Sequence, residues 1–170
     1  MRRTDREIKN FDEIIDILRR AETIRLGING EPYPYVVPLS FGFEVVNDVV
    51  IIYFHGAKEG FKHELLAKDN HVCVEADIFH RYLKLEHGIS VAYESVIGFG
   101  TAEIVYGAEA VCGIALALEH CGFAGYDYKL SELESVHIYK ITLSSITGKR
   151  RNAEQLRRGA ENIMREDKQQ

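Results

Sequence analysis

Proline and cysteine are scarce in this chain, and tryptophan is absent. Three prolines in 170 residues leave no material for a long proline-rich linker. Cys73, Cys112 and Cys121 form an odd set without CxxC spacing, which argues for reduced thiols in a cytoplasmic protein rather than a disulfide framework. No apolar run is long enough to cross a bilayer. The opening "MRRTDREIKNF" has basic residues with no apolar stretch behind them, so neither a membrane span nor a secretory signal is expected. Positive charge is also in deficit. Lys and Arg number 21 against 26 Asp and Glu, a net charge of −5, which argues against sequence-independent binding to nucleic acid. Neither a Gly-x-Gly-x-x-Gly turn nor a P-loop occurs, so a Rossmann-type nucleotide fold lacks its signature.

What is present suits one soluble domain with a real core: 46% hydrophobic and 28% charged residues. "NFDEIIDILRRA" predicts a helix, capped by Asn10 in a capping box with Glu13, with Phe11, Ile14, Ile15 and Leu18 on one face. "TIRLGI" reads as a strand and "NGEP" as a turn. "YPYVVPLSFGFEV" is extended, with Pro34 and Pro38 demanding irregular or edge pairing. "VND" turns the chain into a strand over residues 48–54. Both faces of that strand are apolar, so both should be covered, as in a barrel wall that another subunit packs against. A short helix over 60–68 and the strand "HVCVEAD" follow. Residues 79–90 are mixed and read as a loop or strand end. "VAYESVIGFGTAEIVY" is a long strand bent near Gly98 and Gly100. "GAEAVCGIALALEHCGF" is an apolar helix, "AGYDYKLSELES" a loop, "VHIYKITLSSITG" the last clear strand, and "RNAEQLRRGAENIMRE" a charged amphipathic helix. Consecutive strands with tight turns predict an α+β, mainly β protein: a six-stranded antiparallel split barrel with flanking helices. Residues 1–151 form the domain, and 152–170 a C-terminal helix packed on or extending from it.

One stretch carries chemistry. "IIYFHGAKEGFKHELL", residues 51–66, is a strand, a glycine-bearing turn and a helix start. Free backbone N–H groups and the positive end of a helix favour anions there. Gly56 and Gly60 let backbone approach a ligand. Lys62 adds a full charge in the first helical turn, and His55 offers a ring donor at the strand end. A plain helix start with a solvated lysine has the same spacing. Cys112 and Cys121, nine residues apart on a helix, point about 180° apart, so a zinc site with His120 and His137 is not expected. His71, His80 and His87 read as ordinary surface or edge residues. "GKRR", residues 148–151, follows the last strand and either helps neutralise a phosphate or forms a solvated basic turn.

The pieces "MRRTDREI", "IIDILRRA", "RLGINGEPYPYVVPLSFGFE", "IIYFHGAKEGFKHELL", "HVCVEAD", "YESVIGFGTAEIV" and "ITLSSITGKR" together resemble the pyridoxamine 5′-phosphate oxidase-like flavin-binding split barrels, and most of all their Nim-type branch, named for 5-nitroimidazole resistance. The resemblance spans about residues 1–151. It implies a homodimer with FMN at the subunit interface. Val37, Pro38, Leu39 and Ser40 would lie along the flavin ring. Tyr53, Phe54, His55, Gly56, Gly60 and Lys62 would carry the phosphate grip, with Lys62 as the cation and His55 near the ring or substrate. Ser95 and Val96 would approach from a second strand. The chain departs from the oxidases where they carry cations and an amide, at Tyr35, Ser40 and Glu94, which argues against pyridoxamine phosphate as substrate.

Two functional classes follow from this resemblance. One is an FMN-dependent oxidoreductase that passes electrons from a small-molecule donor to a small acceptor such as a nitroaromatic, with His55 as the catalytic side chain. The other is a flavin- or haem-binding carrier or sensor without robust turnover, for which His55 is the one well-placed axial ligand. Pyridoxamine 5′-phosphate oxidase-like activity is a third variant.

Overall fold

The computed structural model describes residues 3–85, 87–128 and 133–151. A 3-10 turn (Thr4–Arg6) and a two-residue strand, β1 (Glu7–Ile8), lead into helix α1 (Phe11–Arg20). The Asn10 side chain accepts from the Asp12 N–H at 2.9 Å, which satisfies one of the donors every helix start leaves open. Glu13 does not complete the capping box. Its carboxylate accepts from Arg150 at 2.5 Å, a charge-assisted bond stronger than one from a backbone amide.

Strands β2 (Ile24–Ile28), β3 (Tyr35–Leu39), β4 (Gly42–Val46) and β5 (Val49–Ala57) precede helix α2 (Phe61–Lys68). Strands β6 (His71–Leu85) and β7 (Gly88–Val105), helix α3 (Gly107–His120) and strand β8 (Val136–Arg151) complete the described chain. The antiparallel sheet has eight strands rather than six, in the order β3-β2-β6-β7-β8-β5-β4 with β1 beside β8. The extra strands are β1 and the division of the long extended run into β3 and β4. Those two lie at opposite ends of the path, yet only Ser40 and Phe41 separate them. Such a link spans at most about 11 Å, so the sheet curls into a barrel split between β3 and β4. Asn47 and Asp48, at φ 51° and 63°, form the β4–β5 hairpin turn, the pair of left-handed residues that a type I′ turn requires.

The barrel interior holds one apolar cluster. Ile17 and Leu18 of α1 and Leu65 and Leu66 of α2 pack with Ile52, Phe54, Tyr139 and Ile141 of the wall. Helix α3 lies outside, on β4, β5 and β8, where Ile114 and Leu116 pack against Tyr53, Val105 and Ile138. Its approach is close: a Cβ on Gly42 would sit 2.3 Å from the Ala117 nitrogen. Over its middle, at Ile51 and Tyr53, strand β5 is therefore covered on its second face by α3 of its own chain, while Val49, His55 and Ala57 stay exposed.

Strands β6 and β7 run past their neighbours. The β2–β6 ladder ends at Arg25↔Glu75 and the β7–β8 ladder at Tyr93↔Arg151. Beyond these points, among the described residues, the two strands pair only with each other. Residues 79–90, expected as a loop or strand end, lie largely in this ribbon. A bulge between Phe79 and Arg81 breaks the alternation that would have marked the strand. A second irregularity sets Phe99 opposite Ser145 but Gly100 opposite Leu143, which leaves Ser144 as the extra residue. The expected helix over 152–170 lies outside the described residues. Among the described residues no helix is long and apolar enough to cross a membrane.

Candidate functional site

The end of β5 and the start of α2 form the joint singled out from sequence. Gly60 caps α2 at φ 114°, a conformation that favours glycine. The first residue of the helix, Phe61, meets Tyr35 of β3 edge-on at 5.2 Å between ring centres, so α2 and the edge strand β3 are neighbours. Lys62 folds back over β5. Its ammonium lies 5.1 Å from the Phe54 ring centre, and a Cβ on Gly56 would come within 2.9 Å of its Nζ. The missing side chain at position 56 is what admits the cation. Burial pushes the Lys62 pKa below the ordinary lysine value. The aromatic face supplies part of the lost solvation, and no described carboxylate supplies the rest.

Two more elements complete the cluster. Tyr139 of β8 stacks on Phe54 at 4.8 Å, nearly parallel, and its hydroxyl lies 3.0 Å from His63 Nδ1. The His63 and His137 rings stack at 5.1 Å. Burial, with His63 and Lys58 nearby, lowers the His137 pKa, and burial raises that of Tyr139. A cleft of about 450 Å³ opens beside His63, Tyr139, Asp69 and Glu103. His63 and Tyr139 were not singled out from sequence. His63 follows Lys62 directly, but Tyr139 is 76 residues away in sequence, and only the β5–β8 pairing unites them.

The other expected residues are dispersed. Phe54, Gly56, Gly60 and Lys62 come together. Tyr53 is buried beneath α3 and donates to Glu44 at 2.9 Å. His55 is exposed, between inward-facing Phe54 and Gly56. Neighbours on a strand point to opposite faces, so His55 projects away from Lys62. Val37 and Leu39 pack against the core, while Pro38 and Ser40 are exposed along the edge strand. Ser95 is half-buried on the outer face of β7, and Val96 lies in the core. The side chains of Tyr53 and Val96 are thus enclosed by protein.

The basic residues 148–151, expected as a turn after the last strand, lie within β8 and have a different task. Arg150 donates to Glu94 Oε1 at 2.6 Å, Arg20 pairs with Oε2 at 2.9 Å, and His80 Nε2 lies 3.1 Å from Oε2. Arg150 is therefore engaged with carboxylates, not with the lysine site. Burial pushes the Glu94 pKa up, but hydrogen bonds from Arg150, Arg20 and His80 outweigh it and hold it below the ordinary value. His120 bonds the Ala21 carbonyl at 2.7 Å. Among the described residues no group of three or more His, Cys, Asp or Glu side chains is arranged to hold a metal.

Among solved structures, a candidate 5-nitroimidazole antibiotic resistance protein from Bacteroides thetaiotaomicron is 28% identical at a TM-score of 0.75, with 84% of this chain and 85% of that one covered. The FAD- and haem-binding protein of Mycobacterium smegmatis shares the fold at 18% identity and a TM-score of 0.68, covering 91% and 80% of the two chains. A FAD-binding protein of Mesorhizobium loti does so at 18% and 0.63, covering 86% and 98%. No curated protein matches at a comparable level. The family model described as pyridoxamine 5′-phosphate oxidase matches residues 10–150, and with this split barrel it shows that the chain belongs to that flavin-binding family.

Proposed function

We propose that this protein is an FMN-dependent oxidoreductase that reduces a small organic acceptor, with nitroimidazoles and other nitroaromatics as the acceptor class. The observation that carries the reading is the Lys62 ammonium. It is partly desolvated, seated on Phe54 over Gly56, and has no carboxylate partner among the described residues. A desolvated cation without a counter-ion is costly, and a phosphate monoester supplies the missing charge. The residues present fit the flavin in this respect. Lys62 and the N–H groups at the start of α2 would hold the phosphate. The edge strand β3, joined to α2 through Tyr35 and Phe61, has one partner strand among the described residues. It therefore keeps a row of backbone donors and acceptors for a polar ring edge.

Bound flavin supplies hydride and electron transfer, and the chain supplies position and charge. His55, on the opposite face of β5 from Lys62, is assigned to the acceptor rather than to the phosphate. Its ring donates from one nitrogen and accepts at the other, as orienting a nitro group or delivering a proton requires. Glu94 is neutralised by two arginines and sits where the oxidases carry a cation, so pyridoxamine 5′-phosphate is not the expected substrate.

A homodimer completes the site in this reading. The outer face of the sheet leaves Val36 60%, Phe99 56% and Ile97 41% exposed, around a hollow of about 590 Å³ lined by Gly27, Cys73, Phe99 and Ser144. An apolar area of this kind on a small domain marks an interaction surface. The test begins with the purified protein. A yellow protein that releases FMN on denaturation, and whose reduced flavin is reoxidised by a nitroimidazole, agrees with the proposal. A protein that takes up no FMN, or whose reduced flavin is inert to such acceptors, overturns it.

A further inference from the structure

The overhanging β6–β7 ribbon presents apolar residues to solvent on one face only. Cross-strand partners share a face, and the pairs Phe79↔Tyr93, Tyr82↔Val91 and Lys84↔Ile89 belong to the outer one. Ser90, Ala92 and Glu94, between them on β7, are buried on the inner face. Exposure is high for Ile89 (78%), Tyr82 (71%) and Phe79 (53%). A two-stranded ribbon is marginal in water without a surface to pack on. The same outer face continues down the sheet through the pair Glu75↔Ile97. There, among the described residues, Arg25 alone bonds both Glu75 and Asp77, leaving one carboxylate in excess. Lys84, at the far end of the ribbon, is exposed.

We infer that this ribbon is a subunit clamp that lies on the outer sheet face of a second copy of this chain, with Ile89 and Tyr82 as its anchors and Lys84 answering the Glu75 carboxylate. The inference rests on the dimeric reading above and specifies its contacts. A twofold axis near the Phe79–Tyr93 pair, running across the strands in the plane between two such faces, reverses one ribbon over the other. Counted along β7, Ile89 then lies four residues to one side of Tyr93 and Ile97 four to the other. Apolar Ile89 meets apolar Ile97 of the second copy, and Lys84, paired with Ile89, meets Glu75, paired with Ile97. Each contact occurs twice, as twofold symmetry demands. No other occupant is needed to match both the apolar and the charged ends of the face.

Sedimentation equilibrium on the full chain tests this. Ile89→Asp is expected to raise the dimer dissociation constant at least about tenfold, since it buries an unpaired carboxylate twice. Lys84→Glu is expected to weaken the dimer roughly tenfold by setting like charges together. Adding Glu75→Gln to Lys84→Glu should recover part of that loss, which a merely local defect in the ribbon would not do. A wild-type dimer indifferent to Ile89→Asp, or no recovery in the double variant, overturns the clamp and leaves the dimeric reading standing. A monomeric wild type that still binds flavin overturns both.

Discussion

Two regions of this barrel hold a charge away from water, and they treat it in opposite ways. At one end Glu94 is 6% exposed and fully answered by Arg150, Arg20 and His80. These partners come from α1, β6 and β8, so the carboxylate ties the plugging helix to the wall. At the other end Lys62 lies on an aromatic ring with no described carboxylate in reach. A charge answered from within belongs to the fold. A charge left unanswered is available to something that arrives later. The family pattern expects cations where the first network stands, so sequence alone does not separate the two roles.

The largest expected effect comes from breaking the answered charge. Glu94→Leu leaves two arginines without their shared acceptor. Because both are partly open to water, the loss should be about 2–3 kcal/mol, the lower side of what buried pairs give. Urea denaturation measures it, with flavin affinity in the folded fraction unchanged. Lys62→Ala should do the reverse. Stability barely moves, while FMN affinity falls roughly tenfold or more, the loss of one charge-assisted contact at about 1.5–3 kcal/mol. Riboflavin, which lacks the phosphate, should bind both forms alike. An equal loss for riboflavin would remove the phosphate role.

The same contrast has a pH signature. Glu94 titrates lower folded than unfolded, so its contribution is complete above the ordinary glutamate value of 4.5 and is lost as pH falls through the folded value. Glu94→Gln should flatten the acid limb of the stability profile. Lys62 titrates below the ordinary 10.5 before a ligand binds, and a phosphate would raise it again. FMN affinity should therefore decline as pH rises past that lowered value, and Lys62→Ala should abolish the decline. The smallest binding effect is expected at His55. His55→Ala should keep FMN bound yet slow reoxidation of the reduced flavin by a nitro acceptor, read by stopped flow. Unchanged kinetics would leave His55 a solvated strand end.

The elements governed by local chemistry were legible in the sequence. The Asn10 cap, the Asn47–Asp48 turn and the strand–glycine–lysine joint each follow from neighbours a few residues apart. What stayed hidden depends on distant pairing. Tyr139 reaches His63 only because β8 lies against β5. Glu13 turns from its cap toward Arg150 only because the last strand ends beside α1. The ribbon was misread because the bulge at Phe79 shifts its alternation, and because its apolar residues face outward.

The extra residue at Ser144 behaves like a frameshift in the reading of β8. Before it, Tyr139, Ile141 and Leu143 point into the barrel. After it, the even-numbered Ile146 and Gly148 do. The strand thus carries two reading phases, and a single spacer keeps both in register with the core. At this point length matters more than identity. Another small side chain at 144 leaves the phase intact, whereas removing the position would turn Ile146 toward solvent. It would also move Gly148, where a Cβ would sit 2.8 Å from Ile14, away from its close contact with α1.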